Sequence, residues 1–343
     1  MIKLLKRIFL TLLVLSLLLG SAAGWWVLRP LPLATPTVDL SIAPQTPVRG
    51  IAQTAVEAGI EVQPELLYVL FRLSGQSRKL RAGSYEIAQG NTALDVLRKL
   101  TRGEESLKAI TLIDGWTFRQ FRAALDKAEG LKHDTRQLSD SELMEKLGLP
   151  DVAPEGRFFP DTYTYGKGTS ELHVMQRAAN AMVKQLAAAW GQRAGGLQVK
   201  TQEQALILAS IIEKETGRES DRTTISRVFH NRLAIDMPLQ TDPTVIYGLG
   251  ESFDGNLRRV DLRTDHPWNT YTRKGLPITP IAMPGRNALL AAVQPAASKA
   301  LYFVARGDGT SEFSATLDAH NAAVNRYQRR ASGASGAPAA SGQ

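Results

Sequence analysis

The 343 residues carry 41 Lys and Arg against 33 Asp and Glu, a formal net charge of +8, and no cysteine. The missing thiols exclude a disulfide framework, a cysteine nucleophile and any cysteine-based zinc site. Lys3, Lys6, Arg7 and Arg29 flank an N-terminal apolar run. The remaining +4 is too small for a dedicated nucleic-acid binder of this length and suits an anionic membrane or cell-wall surface.

In chain order, Ile8 to Leu28 contains no charged residue and matches the roughly 20 residues that cross a bilayer. Lys3, Lys6 and Arg7 ahead of it predict a cytoplasmic N-terminus with the bulk of the chain outside, and Trp25 and Trp26 stand where an interfacial aromatic belt is expected. Ser21-Ala-Ala23 offers a cleavage site for the competing reading, a signal peptide, but the apolar run is long for one. Residues 1–29 are therefore expected to be an uncleaved anchor. Residues 30–48, with Pro30, Pro32, Pro36, Pro44 and Pro47, read as an extended spacer. From 49 to 105 short helix and strand signals alternate. Leu66 to Leu73 looks helical, and Ala82 to Ile87 reads as a turn into a strand. Thr92 with Asp95 three positions on starts a helix that turns Leu94, Leu97 and Leu100 to a core and stops at Gly103.

From residue 106 to 330 the pattern is helical with long loops. Helices are expected over Leu172–Trp190, 201–218 and Thr224–Leu233, short strands over Leu301–Val304 and around Phe313, and a terminal helix over Leu317–Arg329. The mixed charges of Arg218 to Arg232 read as a solvated helix face. Residues 331–343 are Ala, Ser, Gly, Pro and Gln and are expected to be disordered. The fold class is α+β.

The helix over 201–218 carries the chemistry. Thr201 with Gln204 reads as a capping box. Ala205 to Ile212 is nearly apolar all round, the signature of a central helix. Glu213 and Glu215 follow, about 200° apart at roughly 100° per residue. Leu208, Ile212 and Glu215 fall at i, i+4 and i+7, so the aliphatic stripe carries Glu215 inward. Glu213 lies over Leu206, Ala209 and Ser210. A carboxyl in apolar surroundings has a raised pKa and can act as a general acid.

Around this helix stand loops dense in Pro, Gly, Asn, Thr and Tyr: Glu155 to Tyr163, Leu239 to Gly248, Asn269 to Thr272, Gly275 to Pro277 and Ile281 to Gly285. Taken in order with Ala209-Ser-Ile-Ile-Glu-Lys-Glu-Thr216 and Gln240-Thr-Asp-Pro-Thr-Val-Ile-Tyr-Gly248, they resemble the MltG (YceG-like) family of membrane-anchored endolytic murein transglycosylases. Ile278-Thr279, where many members have Pro-Gly, and Met283, where Asn is common, depart from the family pattern. The resemblance implies a single-pass inner-membrane protein with a LysM-like α/β domain at 49–105. It also implies a catalytic domain at 106–330, endolytic cleavage of nascent glycan strands beside the peptidoglycan synthases, and Glu215 as the catalytic residue. The small domain reads equally as a glycan binder and as a packing module.

A lytic transglycosylase needs one acid. The C6 hydroxyl of muramic acid attacks its own anomeric carbon, and one glutamate can donate a proton and then accept one. Asp242 is the candidate second carboxylate that would make the chain a lysozyme-type hydrolase, although Thr-Asp-Pro-Thr reads better as a helix cap. Glu213, Gln240, Asp242, Tyr247, Asn269 and Tyr271 are candidate sugar contacts, with Asp161 and Tyr163 behind them. Tyr247, Asn269 and Tyr271 read equally as framework residues. The five histidines never occur as His-x-x-x-His, so zinc is not expected. No nucleophile elbow or dinucleotide loop occurs, and no cofactor or nucleic-acid partner is expected. A non-catalytic scaffold that binds cell wall is the reading of a different class.

Overall fold

The computed structural model describes residues 2–215 and 218–329. Thr216 and Gly217 of the helix predicted over 201–218, and the tail at 331–343, lie outside the described residues. The structure mixes helices with three two-stranded sheets, β1–β2, β3–β4 and β5–β6, and divides into two compact units.

The first unit holds Met1–Ala109, Ala128–Lys132 and Thr164–Ser170. It begins with α1 (Ile2–Leu28), of which Lys6–Leu28 is long and apolar enough to cross a membrane. Strand β1 (Thr37–Ile42) is followed by α2 (Val48–Glu57), α3 (Pro64–Leu73), β2 (Gly83–Ala88) and α4 (Ala93–Arg102). β1 and β2 pair antiparallel from Thr37↔Ala88 to Ile42↔Gly83. Val38, Leu40 and Ile42 alternate inward, as a half-buried strand requires. They meet Ile51, Leu67, Phe71, Tyr85, Ile87 and Leu100 in one core. The stretch 30–48 is therefore not a solvent-extended spacer. Its prolines stand outside the strand, and between them Thr37–Ile42 alternates polar and apolar residues and folds into the sheet. Thr92 and Asp95 form a full capping box on α4, and Gly103 ends it at φ +71°, the left-handed conformation that a glycine adopts without Cβ strain.

β3 (Leu107–Thr111) and β4 (Thr162–Gly166) form the second sheet. The second unit, Ile110–Lys127, His133–Tyr163 and Glu171 onward, is built of α5 (Phe118–Asp126), α6 (Asp140–Lys146), α7 (Glu171–Gly191), α8 (Gln202–Glu215), α9 (Glu219–Ala234), α10 (Asp242–Leu249), α11 (Arg259–Arg263) and α12 (Arg286–Val293). The hairpin β5 (Tyr302–Ala305) and β6 (Ser311–Ser314) leads to α13 (Leu317–Val324) and a wider turn over Asn325–Arg329. Thr117 with Gln120 and Ser139 with Glu142 cap α5 and α6 by reciprocal hydrogen bonds. At α8 the box is half made. Thr201 Oγ1 accepts from Gln204 N at 3.1 Å, while the Gln204 side chain accepts from Lys200 N at 2.6 Å.

Every residue of α8 from Ala205 to Ile212 is buried. Phe229 and Ile225 of α9, Ala288, Leu289 and Ala292 of α12, and Met182 and Leu186 of α7 share its core. α9 is not the solvated helix face that its mixed charges predict. Ile225, Val228, Phe229 and Arg232 recur at i, i+3, i+4 and i+7 and are buried together with His230. The charges on its other turns hid an amphipathic core helix.

Candidate active site

Glu215 ends α8 half-buried. Its Oε1 accepts a hydrogen bond from the Thr241 hydroxyl. Burial pushes the Glu215 carboxyl above the usual range, and the Thr241 hydroxyl pulls the other way. The negative Asp242 adds to the rise, and Arg232 opposes it. Thr241 immediately precedes α10, but no side chain caps that helix. The Thr241 hydroxyl is turned to Glu215, and its backbone is held from elsewhere. Thr241 N donates to Thr270 Oγ1 at 3.1 Å, and Thr244 Oγ1 donates to Thr241 O at 2.7 Å. Thr241, Thr244 and Thr270 are all buried. Asp242 therefore does not cap α10 but is its first residue, exposed, with Oδ1 accepting from Tyr271 Oη at 2.5 Å. Glu215, Thr241, Asp242 and Tyr271 thus form one electrostatic cluster. Burial raises the Tyr271 phenol, and Asp242 and Glu215 raise it further.

Gln240 sits on the same loop, exposed, at φ +48°. Its amide donates to Thr270 O at 3.1 Å. A non-glycine residue in this region is uncommon, and the conformation turns the chain from Leu239 in the core to Thr241 at the site.

Glu213 is not left in solvent on the far side of α8. Its side chain is 7% exposed. Oε2 accepts from Gly285 N at 2.9 Å, and Oε1 faces Arg222 at 3.4 Å. Burial raises its carboxyl, Gly285 N–H and Arg222 oppose the rise, and Asp114 adds to it. The two acids of the motif are both withdrawn from water, in different surroundings. Glu215 meets a hydroxyl and a second acid beside a loop, whereas Glu213 ties α8 to the start of α12.

Asn269 belongs to the framework. It is fully buried. Its Nδ2 donates to the carbonyls of Asp261, Leu262 and Thr264 at 3.3, 3.2 and 2.7 Å, and its Oδ1 accepts from Tyr271 N at 2.8 Å. No donor remains for a sugar, so the predicted sugar contact is replaced by a staple between α11 and Tyr271. Tyr163 is buried and donates to Phe159 O at 2.7 Å. Asp161 Oδ1 accepts from the next amide, Thr162 N, at 2.7 Å.

Tyr247 is half-buried, lies edge-on to Trp268 at 5.4 Å between centroids, and hydrogen-bonds to Glu155. Glu155, 5% exposed, also accepts from Phe118 N, with both oxygens at 3.1 Å. Burial lifts it to about 7 against the backbone amides and the Tyr247 hydroxyl, which favour its charged form. Thr241, Glu155 and Arg232 were not singled out in the sequence. Arg232 donates to Leu301 O and Leu239 O at 2.7 and 2.6 Å and so ties the residue before β5 to the segment leading into the Gln240–Thr241 turn. Its place at i+7 from Ile225 was the available signal.

Among the described residues, Asp126, His133 and Glu171 bring possible metal-ligand atoms within 4.8 Å of one another, a grouping that histidine spacing alone does not reveal. Glu171 already accepts from the Thr135 hydroxyl at 2.6 Å and from His133, and Asp126 pairs with Arg136 at 3.0 Å. These hydrogen bonds and the Arg136 pair already engage the three side chains within the protein.

A model of the YceG-like family matches residues 40–326. The chain is 31% identical over 310 residues to the endolytic murein transglycosylase of Bacillus subtilis (strain 168), covering 85% of each chain. It is 27% identical over 305 residues to the endolytic murein transglycosylase of Streptococcus pneumoniae serotype 2, covering 78% of this chain and 54% of that one. It thus spans about half the length of the pneumococcal protein. A crystal structure of a YceG-like protein from Listeria monocytogenes superposes with a TM-score of 0.52 at 26% identity, over 84% of this chain and 98% of that one.

Proposed function

The chain belongs to the YceG-like family, and from that premise we propose that it is an endolytic murein transglycosylase, a lyase of peptidoglycan glycan strands. The observation that carries the chemistry is the half-buried Glu215 carboxyl, raised by its surroundings and held by the Thr241 hydroxyl. Protonated, Glu215 donates to the glycosidic oxygen as the bond from C1 of muramic acid breaks. The C6 hydroxyl of the same ring attacks C1 and gives its proton to Glu215. A 1,6-anhydro end and a new 4-hydroxyl result, with no water consumed and the acid regenerated. Because the attack is intramolecular, holding the ring supplies much of the acceleration.

Asp242 supports a second reading, hydrolysis through a carboxylate pair, because its charge acts on Glu215. Its Oδ1 is engaged by Tyr271, which favours a role in orienting the wall of the site. Gln240, Tyr247 and Tyr271 remain candidate walls. The β1-α2-α3-β2 order of the first unit supports a LysM-like module with glycan affinity. Lys3, Lys6 and Arg7 ahead of the uncharged run from Ile8 to Leu28 support a single-pass anchor in the cytoplasmic membrane, its N-terminus inside and its enzyme outside, beside the synthases that extend the strands.

Incubating the full chain in detergent with purified sacculi tests the proposal. Anhydro ends identified by mass, absent with Glu215→Gln, are expected. Reducing ends would replace the lyase by a hydrolase, and no cleavage would leave the scaffold reading.

A further inference from the structure

Beside the Glu215 cluster lies an open cleft of about 480 Å³ lined by Arg259, Leu262, Arg263, Tyr271 and Thr272. Arg259 and Arg263 are four residues apart on α11, so both guanidinium groups fall on one helical face. Both are exposed, and neither forms an ion pair among the described residues. The acids of the same segment are engaged elsewhere. Asp254 pairs with Arg258, Asp261 accepts from Arg258 N at 2.7 Å, and Asp265 binds Arg273 and the Thr272 hydroxyl at 2.8 Å each. Two uncommitted cations therefore face a cleft that also has an apolar wall.

The cleft is joined to the reacting centre by Tyr271, whose hydroxyl reaches Asp242 at 2.5 Å. Asn269 sets its width. The same buried amide grips three carbonyls from Asp261 to Thr264 and the amide of Tyr271, so α11 and the tyrosine are held as two walls of one slot. Arginine's planar fork matches a carboxylate with two parallel bonds. The muramic acid next to the cleaved bond carries a peptide through its lactyl group, and that peptide bears free carboxylates and apolar side chains.

We propose that Arg259 and Arg263 form a carboxylate-binding subsite that recognises the peptide stem of the glycan strand and selects peptide-bearing muramic acid over bare glycan. This rests on the transglycosylase reading of Glu215 and adds a substrate requirement to it. Phosphate groups, such as the pyrophosphate of a lipid-linked strand, would suit the arginines but not the apolar wall of Leu262.

The test uses the full chain in detergent with three substrates: lipid-free strands with intact stems, the same strands stripped by an amidase, and lipid-linked strands without stems. Wild type is expected to cleave stem-bearing strands at least about tenfold faster in kcat/KM than stripped ones, the scale of a charge-assisted hydrogen bond. The Arg259→Gln/Arg263→Gln variant should lose that preference while cleaving stripped strands at the wild-type rate, and Lys at both positions should restore part of it. Equal wild-type rates on stripped and intact strands, an equal loss on both, or an arginine effect confined to lipid-linked strands would overturn the proposal. Binding is read separately in the Glu215→Gln background, where intact strands should bind at least about tenfold more weakly once the arginines are replaced. This arm decides the subsite even if wild type makes no anhydro ends and the transglycosylase reading fails.

Discussion

The hydroxyl of Thr241 donates to the carboxylate of Glu215 across 26 residues of sequence. The residue that could have capped α10 serves the acid of α8, and the turn between Leu239 in the core and the start of α10 is thereby locked to the site. Because a carboxylate accepts this bond, it favours the charged form of Glu215 and sets how far burial can raise its pKa.

Replacing Thr241 by Val keeps the shape and removes the donor. The Glu215 pKa should rise. A general acid must be protonated, so activity falls as pH climbs through its pKa. The alkaline limb of the kcat/KM profile should therefore move to higher pH. A profile that drops at every pH with its limb unmoved would reduce Thr241 to a packing residue.

Glu215→Gln should lower anhydro product formation by at least about 10² with the thermal midpoint nearly unchanged. Glu213→Gln should do the reverse. It retains most activity but loses about 1–3 kcal/mol of stability, because Arg222 and Gly285 N–H lose a charged acceptor. Paired turnover and thermal melts separate the two acids, and the opposite assignment of effects would refute their division of labour.

Asp242→Asn keeps an acceptor for Tyr271 and should leave anhydro ends as the product, with a loss well below that of Glu215→Gln. Mass analysis of the ends is decisive. A loss as deep as that of Glu215→Gln, with reducing ends from wild type, would make Asp242 a nucleophile or base.

Glu155 predicts a pH-dependent stability. Its pKa rises from 4.5 to about 7 on folding, so the folded state holds the proton more tightly. The stabilising contribution is complete below about 4.5 and is lost as pH rises through about 7, by on the order of 3 kcal/mol. Urea midpoints at pH 5 and 7.5 should differ less in Glu155→Gln than in wild type. An unchanged difference would place the titrating group elsewhere.

What the sequence revealed follows the range of the interactions. Thr92, Asp95 and Gly103 were legible because capping acts within a turn, and α8 because its apolar run is continuous. The burial of Glu215 followed from helical spacing. Its partner Thr241 did not, because the spacing of residues says nothing about which loop closes over a helix end. Glu155 and Tyr247 are 92 positions apart and meet through tertiary packing. Asn269 was ambiguous for a related reason: an asparagine among Thr and Tyr serves a turn or a ligand equally well until its amide hydrogens are accounted for. Strand β1 is hidden because the prolines on both sides outweigh its period-two alternation, and Arg232 because a charged residue in a mixed-charge stretch looks exposed until its two carbonyl partners are known.

The burial of α8 on every side from Ala205 to Ile212 has a consequence for how the protein fails. Its amide hydrogens are reached by solvent only when the surrounding helices separate, so they belong to the slowest-exchanging class of the second unit. The glutamate sits at the end of that unit's most protected segment, whereas the arginines of α11 lie on an exposed, short helix. Deuterium uptake along α8 and loss of turnover should rise together on heating, while α11 exchanges early. Specificity for the strand would then fade at temperatures where the bond-breaking centre is still intact.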